Sequence, residues 1–303
     1  MEGQGLGVGD VVQAGGAMAT QRLSIRRVIS AGAIAGSAAA SVAIVAVLAG
    51  VLWYILWRGV GAISWEFFTT DPTGDPAAPG GMRHAVLGTL ALLLMASAVG
   101  VPMGILTGVY LSEYAGERWL AGPTRFVCDV LAGVPSIVVG ILGYELLVVP
   151  VGGFNAYAGA AALAFIMAPI IARTTEEMLR LVPDSYRAGS LALGASKSQT
   201  IVRVVLPAAA GPTLTGVMLA LARVAGETAP LLFTAGGARL ISADLGQPFP
   251  SLTQQVFDYA TSPFPSQREV AWAGVLVLIA LLLTINLAVR LLLWRTRARA
   301  KPR

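Results

Sequence analysis

Two ionisable residues, Arg223 and Glu227, stand inside the apolar stretch 211–235, which carries no other charge. Four residues apart on a helix, their side chains lie on one face, one turn apart. The guanidinium stays positive at any physiological pH and offers a planar fork of donors suited to an oxyanion. Glu227 could hold that fork while no anion is bound, and Thr228 either adds a hydroxyl or bonds its own backbone. The pattern favours an anion site, with a purely structural ion pair as the alternative.

The composition of the whole chain indicates what kind of element carries this pair. Of the 303 residues, 56% are hydrophobic and only 12% are charged, about half the charged fraction of soluble domains. So little polar surface cannot coat a water-soluble globule, and we predict an all-α integral membrane protein. The net charge of +5 comes from basic residues at the ends of apolar runs. Membrane lipid is therefore an expected partner, and nucleic acid is not.

About six apolar runs are long enough, or nearly so, to cross a bilayer as helices. They lie at about 31–57, 85–111, 128–149, 156–172, 211–235 and 270–293. The first run follows a basic stretch, as in a signal peptide, but it is uncharged for 30 residues from Val28 to Trp57. That is too long for a signal core, so an uncleaved anchor is predicted, with a cleaved signal as the alternative.

These runs define a transmembrane domain over 29–294, between a tail at 1–28 and a basic tail at 295–303. Counted from Gly211 at about 1.5 Å per residue, Arg223 lies about 18 Å into its span, near the middle of the bilayer. A charge at that depth must face a cavity or a partner.

Glycines and prolines indicate how the spans pack and bend. A spacing of four predicts helix-packing faces at Gly32, Gly36, Gly100, Gly104 and Gly108. Pro135, Pro169 and Pro230 could kink their spans. In the last outer loop, residues 252–259 could form a short interfacial helix.

The distribution of basic residues predicts the orientation of the spans. With six spans, the termini and the second and fourth connections share one side of the membrane. On that side, Lys and Arg together number three in the N-terminal tail, two in the second connection, five in the fourth connection and six from Arg290 onward. The other side carries four. Because cytoplasmic segments hold the basic excess, both termini are predicted to be cytoplasmic, in a cytoplasmic membrane.

The fourth connection, residues 173–206, is the interior segment least like a membrane span. Pro183 suits the first turn of a helix, and apolar residues recur at helical spacing over 184–205 until Pro207 ends the pattern. A helix of mixed polarity outside the bilayer, with Gly194 in its middle, is expected to dock on another molecule. A plain amphipathic linker is the alternative.

The coupling region 183–207 resembles the inner loop of ABC-importer permeases. In that family, Glu-Ala-Ala is followed after three residues by Gly, and after nine more by Ile-x-Leu-Pro. The matching positions here are Ala188, Gly189, Ser190, Gly194, Val204, Val205, Leu206 and Pro207. Ala188 replaces the family's Glu, and Val204 replaces its Ile. The resemblance implies a type I ABC-importer permease fold, in which this segment is the coupling helix that docks in a cleft of an ATPase subunit.

Three further stretches resemble the PstA family of phosphate-importer permeases. They are residues 110–115, residues 169–177, and residues 219–234 with Gly-Glu-Thr-Ala-Pro-Leu-Leu-Phe at 226–233. The resemblance implies a permease subunit for ATP-driven phosphate import by alternating access, with transport roles for Arg223 and Glu227. It also implies three partners: a homologous PstC-like permease, a dimeric PstB-like ATPase and a PstS-like phosphate-binding protein.

The chain offers little chemistry of its own. It contains no Gly-Lys dipeptide, so the phosphate-gripping lysine of a P-loop is missing, and ATP and Mg are expected on the partner ATPase. One cysteine, Cys128, and one histidine, His84, which is expected to be solvated in an outer loop, form no metal-binding cluster. We therefore predict neither enzymatic activity nor a cofactor in this chain. The alternatives are a permease for another oxyanion or solute, and an ion-coupled carrier.

Overall fold

The computed structural model describes residues 8–116 and 119–299, with side chains for 30–116, 119–288 and 290–291. The described part is helical, as predicted. Its helices are α1 (Val8–Val60), α2 (Trp65–Thr69), α3 (Arg83–Val109), α4 (Ala121–Gly133), α5 (Ser136–Gly143), α6 (Ala156–Arg180), α7 (Asp184–Ala192), α8 (Lys197–Thr200), α9 (Leu206–Ala225), α10 (Ala229–Thr234), α11 (Leu252–Ala260) and α12 (Pro265–Arg299). Wide π-helical turns extend α3 over Tyr110–Tyr114 and α5 over Tyr144–Val148, and join α8 to α9 over Ile201–Val205.

Five helices of the described residues are long and apolar enough to cross a membrane, and a bent pair makes a sixth if it is counted as one span. The five are Ser30–Val60, Arg83–Tyr114, Ala156–Arg180, Lys197–Ala225 and Pro265–Ala288. The chain divides into two units, one up to Trp57 and one from Arg58 onward.

The helices of the described residues extend into both predicted tails. Helix α1 is continuous from Val8, so the predicted tail at 1–28 is helical from residue 8, while residues 1–7 lie outside the described part. Helix α12 continues to Arg299, so the basic tail at 295–303 begins as an extension of the last span. Residues 300–303 lie outside the described part.

Helices α3 and α6 form the centre of the second unit. Gly100, Gly104 and Gly108 lie along their contact: a Cβ at Gly104 would stand 2.6 Å from the Cβ of Ile171, and one at Gly108 2.5 Å from that of Thr175. Only glycine permits so close an approach, and the predicted packing face is confirmed at these three positions. The packing role of Gly32 and Gly36, which lie in the first unit, stays a prediction.

The predicted third span, 128–149, is not a single helix. Its chain forms α4 and α5, which meet at an angle of 104°. Val134 between them is extended (ψ 132°) and Pro135 follows it. A residue before proline is pushed out of the α region, and proline has no N–H to donate, so the helix breaks here rather than kinking.

The predicted fifth span, 211–235, is also divided. Helix α9 starts earlier, at Leu206, and ends at Ala225, after which Gly226 closes the helix and Thr228 precedes α10. Pro230, in the first turn of α10, fits a helix start and not a helix interior. Arg223 therefore lies in the last turn of α9, and not in the middle of a continuous helix as predicted.

Candidate functional site

The Arg223 and Glu227 side chains meet across the end of α9. Arg223 Nε lies 3.9 Å from Glu227 Oε1, and the two side chains are 48% and 15% exposed. At that distance the contact is an ion pair and not a hydrogen bond. The Arg223 side chain is thus about half exposed and makes no hydrogen bond to any residue that the structure describes, while the carboxylate beside it is mostly buried.

The chain break that carries this pair is anchored on two sides. The backbone oxygen of Glu227 accepts a hydrogen bond from Thr253 Oγ1 of α11 (3.1 Å). Gly140 of α5 lies against α10, where a Cβ would stand 3.0 Å from Pro230 Cα. Thr228 stands before the first residue of α10, and its side chain makes no capping bond. Glu227 is thus held through its backbone, while its side chain remains available to Arg223.

The coupling region is not one helix over 184–205 as predicted. Helix α7 ends at Ala192, and Gly194 follows with φ +85°, a conformation that favours glycine. Ser196 then begins α8 with a reciprocal capping box to Gln199. Pro207 does not end the helical pattern, because it occupies the first turn of α9, where its missing N–H costs nothing.

The predicted coupling residues fall into two groups. Ala188, Gly189 and Gly194 are exposed, and Ser190 Oγ lies 2.9 Å from Thr200 Oγ1. No residue of α7 is buried. Leu206 and Pro207 instead lie at the other end of this region, at the start of α9.

Several apolar side chains near α7 are exposed: Leu181 (73%), Tyr186 (56%), Leu191 (49%) and Leu193 (91%). Apolar side chains left uncovered on a charged segment mark an interaction surface.

Helix α9 joins the two predicted sites. Leu206 begins the helix and Arg223 lies in its last turn, so at about 1.5 Å per residue the coupling region and the ion pair are separated by roughly 25 Å of continuous helix.

Sequence reasoning missed Arg187, which ties α7 to the body of the protein. Its guanidinium forks onto Glu113, with Nη2 to Oε1 at 2.7 Å and Nε to Oε2 at 3.2 Å. It also donates to the carbonyl oxygens of Val182 (2.6 Å) and Leu179 (2.9 Å). The hydrogen bond to Glu113 raises the pKa of Arg187 above its usual value. The available signal was its position directly before the motif-like Ala188.

A second unpredicted group surrounds Glu176 of α6, whose side chain is 1% exposed. Its carboxylate pairs with Arg125 Nε (2.7 Å), Arg173 Nη1 (3.3 Å) and Arg180 Nη2 (2.6 Å). Arg173 Nε also reaches Asp129 Oδ1 (2.9 Å). We call these five side chains the Glu176 cluster. They join α4 to the end of α6.

At the opposite end of α3, Asp71 caps the helix. Its carboxylate accepts from the backbone N–H of His84 (3.2 Å) and from Arg83 Nη2 (2.5 Å). Hydrogen bonding to Arg83 lowers the pKa of Asp71. The expectation that His84 is solvated is wrong: its side chain is fully buried, and Nε2 lies 3.3 Å from Gln255 Oε1 of α11.

The predicted helix over 252–259 corresponds to α11, which docks on α3, while its position at the membrane interface stays a prediction. Leu252, Thr253 and Gln254 are buried, and the backbone N–H of Leu252 donates to Thr89 Oγ1 of α3 (2.7 Å). Beside α11 an open pocket of about 460 Å³ is lined by residues that include Arg239 and Asp258. Burial raises the pKa of Asp258.

Apolar helices long enough to span a membrane, a bent helix pair among them and an exposed helix in one connection are, over the residues that the structure describes, typical of transporter permeases. The model of the family described as "Binding-protein-dependent transport system inner membrane component" matches residues 100–298. The chain therefore belongs to this family, whose members are multi-pass inner-membrane components and not enzymes. They work in complexes with other subunits.

Curated relatives are similar over most of the chain. The "Phosphate transport system permease protein PstA" of Xylella fastidiosa (strain Temecula1) is 43% identical over 90% of this chain and 95% of its own length. That of Yersinia pestis is 43% identical over 78% of this chain and 80% of its own length. PstA 1 of Mycobacterium tuberculosis (strain H37Rv) is 41% identical over 74% of this chain and 73% of its own.

Solved structures support the fold. A structure of the MetNI methionine ABC transporter in an inward-facing conformation matches with a TM-score of 0.54 at 20% identity, over 78% of this chain and 94% of that one. An amino acid ABC transporter matches with a TM-score of 0.50 at 18% identity, over 72% and 92%. The fold is thus that of type I ABC-importer permeases, as predicted.

Proposed function

We propose that this chain is a permease subunit that imports inorganic phosphate across the cytoplasmic membrane by alternating access, driven by ATP. The observation that carries the proposal is 43% identity to a phosphate permease subunit over 90% of the chain. The half-exposed Arg223, set in the last turn of an apolar helix, supplies the chemistry that an anion path needs. Intramembrane ionisable residues mark ion paths more often than not.

In this proposal Arg223 binds the anion and Glu227 competes for it. Arg223 Nε lies 3.9 Å from the carboxylate, so the carboxylate balances its charge without a hydrogen bond. An arriving phosphate can therefore bind the guanidinium in its place, through shorter, paired hydrogen bonds. When phosphate leaves, Glu227 returns to the guanidinium and prevents a permanent trap. Thr228 lies beside the pair and can offer a hydroxyl.

The coupling step uses the other end of α9. The uncovered apolar side chains around α7 suit a cleft in a partner ATPase, with Ala188, Gly189, Ser190 and Gly194 at the contact. Movement there would reach Leu206 and Pro207, and pass along α9 toward Arg223. Because α9 is one unbroken helix, it can transmit such a displacement over about 25 Å.

The other subunits of the transporter are separate chains. We propose a PstC-like permease as the other wall of the path, a PstB-like ATPase dimer that uses ATP and Mg, and a PstS-like protein that delivers phosphate from outside. Both termini lie in the cytoplasm, as the excess of basic residues on that side favours.

The test is uptake of labelled phosphate by proteoliposomes that hold the complete transporter. Arg223→Gln should abolish uptake while the subunits still co-purify, and Arg290→Gln, at an exposed site near the end of α12, should leave both unchanged. Full uptake by the Arg223 variant would contradict the role in the path, and loss of assembly would assign the pair a structural role. Equal competition by unlabelled sulfate and phosphate would favour a permease for another oxyanion.

A further inference from the structure

The pocket beside α11, which we call the α11 pocket, is lined by three polar side chains that have no hydrogen-bond or ion-pair partner among the described residues. They are the guanidinium of Arg239, the amide of Gln254 and the carboxylate of Asp258. Gln254 is only 6% exposed, and its Oε1 is buried without a partner in the described part of the chain. A buried polar group left unpaired costs free energy, so its presence in the wall indicates a polar ligand.

Arg239 and Asp258 carry opposite charges and line one pocket, yet they form no ion pair with each other. Arg239 Nη1 lies instead near Gly74, where a Cβ would stand 3.5 Å from it. Opposite charges attract, so two such groups held apart can both bind a third group between them. The volume of about 460 Å³ admits an oxyanion together with water.

The amide of Gln254 is fixed by close packing. A Cβ at Gly237 would stand 2.5 Å from Gln254 Nε2 and 2.8 Å from its Cδ. Gly237 also has φ +71°, a conformation that favours glycine. The amide is therefore held in place before a ligand arrives, as a specific site requires.

An arginine beside two acceptors is the donor set for an oxyanion that keeps a proton. Arg239 supplies N–H donors for ionised oxygens, whereas the ionised Asp258 carboxylate can only accept and needs a hydroxyl from the ligand. Phosphate at neutral pH offers both ionised oxygens and a hydroxyl. Sulfate has no proton at this pH, so it would only be repelled by the carboxylate. The α11 pocket therefore suits phosphate better than sulfate.

The α11 pocket is connected to the Arg223–Glu227 pair through α11. Thr253, the residue before Gln254, donates its hydroxyl to the backbone oxygen of Glu227 (3.1 Å). In the proposed orientation the pocket belongs to the last outer loop, on the side from which phosphate arrives.

We propose that the α11 pocket binds protonated phosphate on the outer side of the membrane, before the anion is transferred to Arg223. Arg239 holds the ionised oxygens, and Gln254 and Asp258 accept from the hydroxyl. The inference rests on the proposed function, and it adds a second site that selects the protonated anion.

The test is line broadening of inorganic phosphate in phosphorus NMR, caused by the purified transporter complex with no extracellular binding protein added. Arg223→Gln should remove one of two sites and leave part of the broadening. Arg239→Gln in that background should lower the remainder about tenfold, as expected for the loss of hydrogen bonds to a charged group. Arg290→Gln in the same background, at an exposed site near the end of α12, should change nothing.

Selectivity is tested by competition between phosphate and sulfate in the Arg223→Gln background. Asp258→Asn removes a negative charge, so a purely electrostatic site would bind both anions more tightly. We expect instead that the preference for phosphate over sulfate falls about fivefold, as for the loss of one hydrogen bond. Gln254→Leu should lower the preference in the same direction. Gln247→Leu, at an exposed position of the same loop outside the pocket, should not.

The possible failures are distinguishable. Loss of all broadening in Arg223→Gln alone would overturn the α11 pocket as a site and leave the proposed function intact. Broadening that is unchanged in Arg223→Gln but falls in Arg239→Gln would support the pocket and contradict the role of Arg223 in the path. An unchanged preference for phosphate in both Asp258→Asn and Gln254→Leu would overturn the recognition of a protonated anion.

Discussion

The arginine–carboxylate pairs near the two ends of α9 differ in burial and in distance. Near the coupling region Glu176 is 1% exposed and meets three arginines at 2.6 to 3.3 Å, and Arg187 holds Glu113 with a fork. At the far end Arg223 is 48% exposed and stays 3.9 Å from Glu227. The first arrangement fixes helices to one another, whereas the second leaves a cation ready to change partner.

The difference follows from solvent exposure and the number of hydrogen bonds. A buried, multiply bonded carboxylate is expensive to leave unpaired, so its partners hold their positions. A pair held at a long distance, with a half-exposed arginine, contributes only about 1 kcal/mol, and a ligand can take the place of its carboxylate. The comparison predicts that variants near the coupling region affect stability and force transmission, and that variants at Arg223 and Glu227 affect ligand exchange.

The largest effect on stability is expected from Glu176→Ala. Removing the carboxylate leaves three guanidinium groups close together, at a cost of about 2 kcal/mol, less than the roughly 3 to 5 kcal/mol of a fully buried pair because the arginines are partly exposed. Thermal unfolding of the purified transporter measures the change. Glu177→Ala, at the exposed neighbouring position, is the matched control, and equal melting temperatures for the two variants would contradict the structural role of the cluster.

Arg187→Ala should have the next largest effect, on the coupling of ATP hydrolysis to phosphate transport. Loss of the fork to Glu113 frees α7 from α3, so we expect phosphate uptake to fall about tenfold, equivalent to about 1.4 kcal/mol, while ATP hydrolysis continues. The measurement is ATP hydrolysed per phosphate transported. Arg187→Lys should recover only part of the coupling, because an ammonium cannot form the paired bonds.

The control for Arg187→Ala is a substitution of Asp184, the more exposed of the two carboxylates that Arg187 contacts. Asp184 is 99% exposed and lies 3.2 Å from Arg187 Nη1, so Asp184→Ala should leave the ratio unchanged. An unchanged ratio in Arg187→Ala as well would mean that the fork only stabilises the fold.

Glu227→Gln tests the widely spaced pair of Arg223 and Glu227. Without a competing carboxylate Arg223 should hold phosphate more tightly. The half-saturating phosphate concentration should therefore fall by up to about fivefold, the equivalent of about 1 kcal/mol for a pair held at this long distance. The maximal rate should fall too, because release slows. Glu269→Gln, at an exposed carboxylate near the start of α12, is the control. A half-saturating concentration that does not move would argue against competition.

Much of this organisation could be predicted from the sequence, because it depends on local pattern. The excess of apolar residues identifies a membrane protein, and spacing of four identifies the glycine face of α3. The position of the 173–206 connection outside the bilayer stays a prediction, because both of its ends belong to candidate spans, Ala156–Arg180 and Lys197–Ala225. The proximity of Arg223 and Glu227 also followed from their separation of four residues.

The breaks in the helices and the buried ion pairs could not be predicted. Apolar residues continue on both sides of Pro135 and of Gly226, so hydropathy alone cannot separate a kink from a broken helix. The partners of Glu176 come from α4 and from both neighbouring turns of α6, and Glu113 is 74 residues from Arg187. Such pairings depend on tertiary packing, which no local period encodes.

The Asp71–Arg83 pair at the start of α3 is more exposed than Glu176 and less open than Arg223. Its loss should have the smallest effect on stability. Asp71 is 17% exposed and Arg83 46%, so Asp71→Asn should lower the melting temperature at pH 7 by on the order of 1 °C. The pKa of Asp71 is lowered in the folded protein, so its contribution is complete above the unfolded pKa of about 3.9 and is lost as the pH falls through the folded value. The difference between variant and wild type should therefore be constant from pH 7 to 5 and shrink below about pH 4. A difference that grew on acidification would mean that another group, and not this carboxylate, controls the cap.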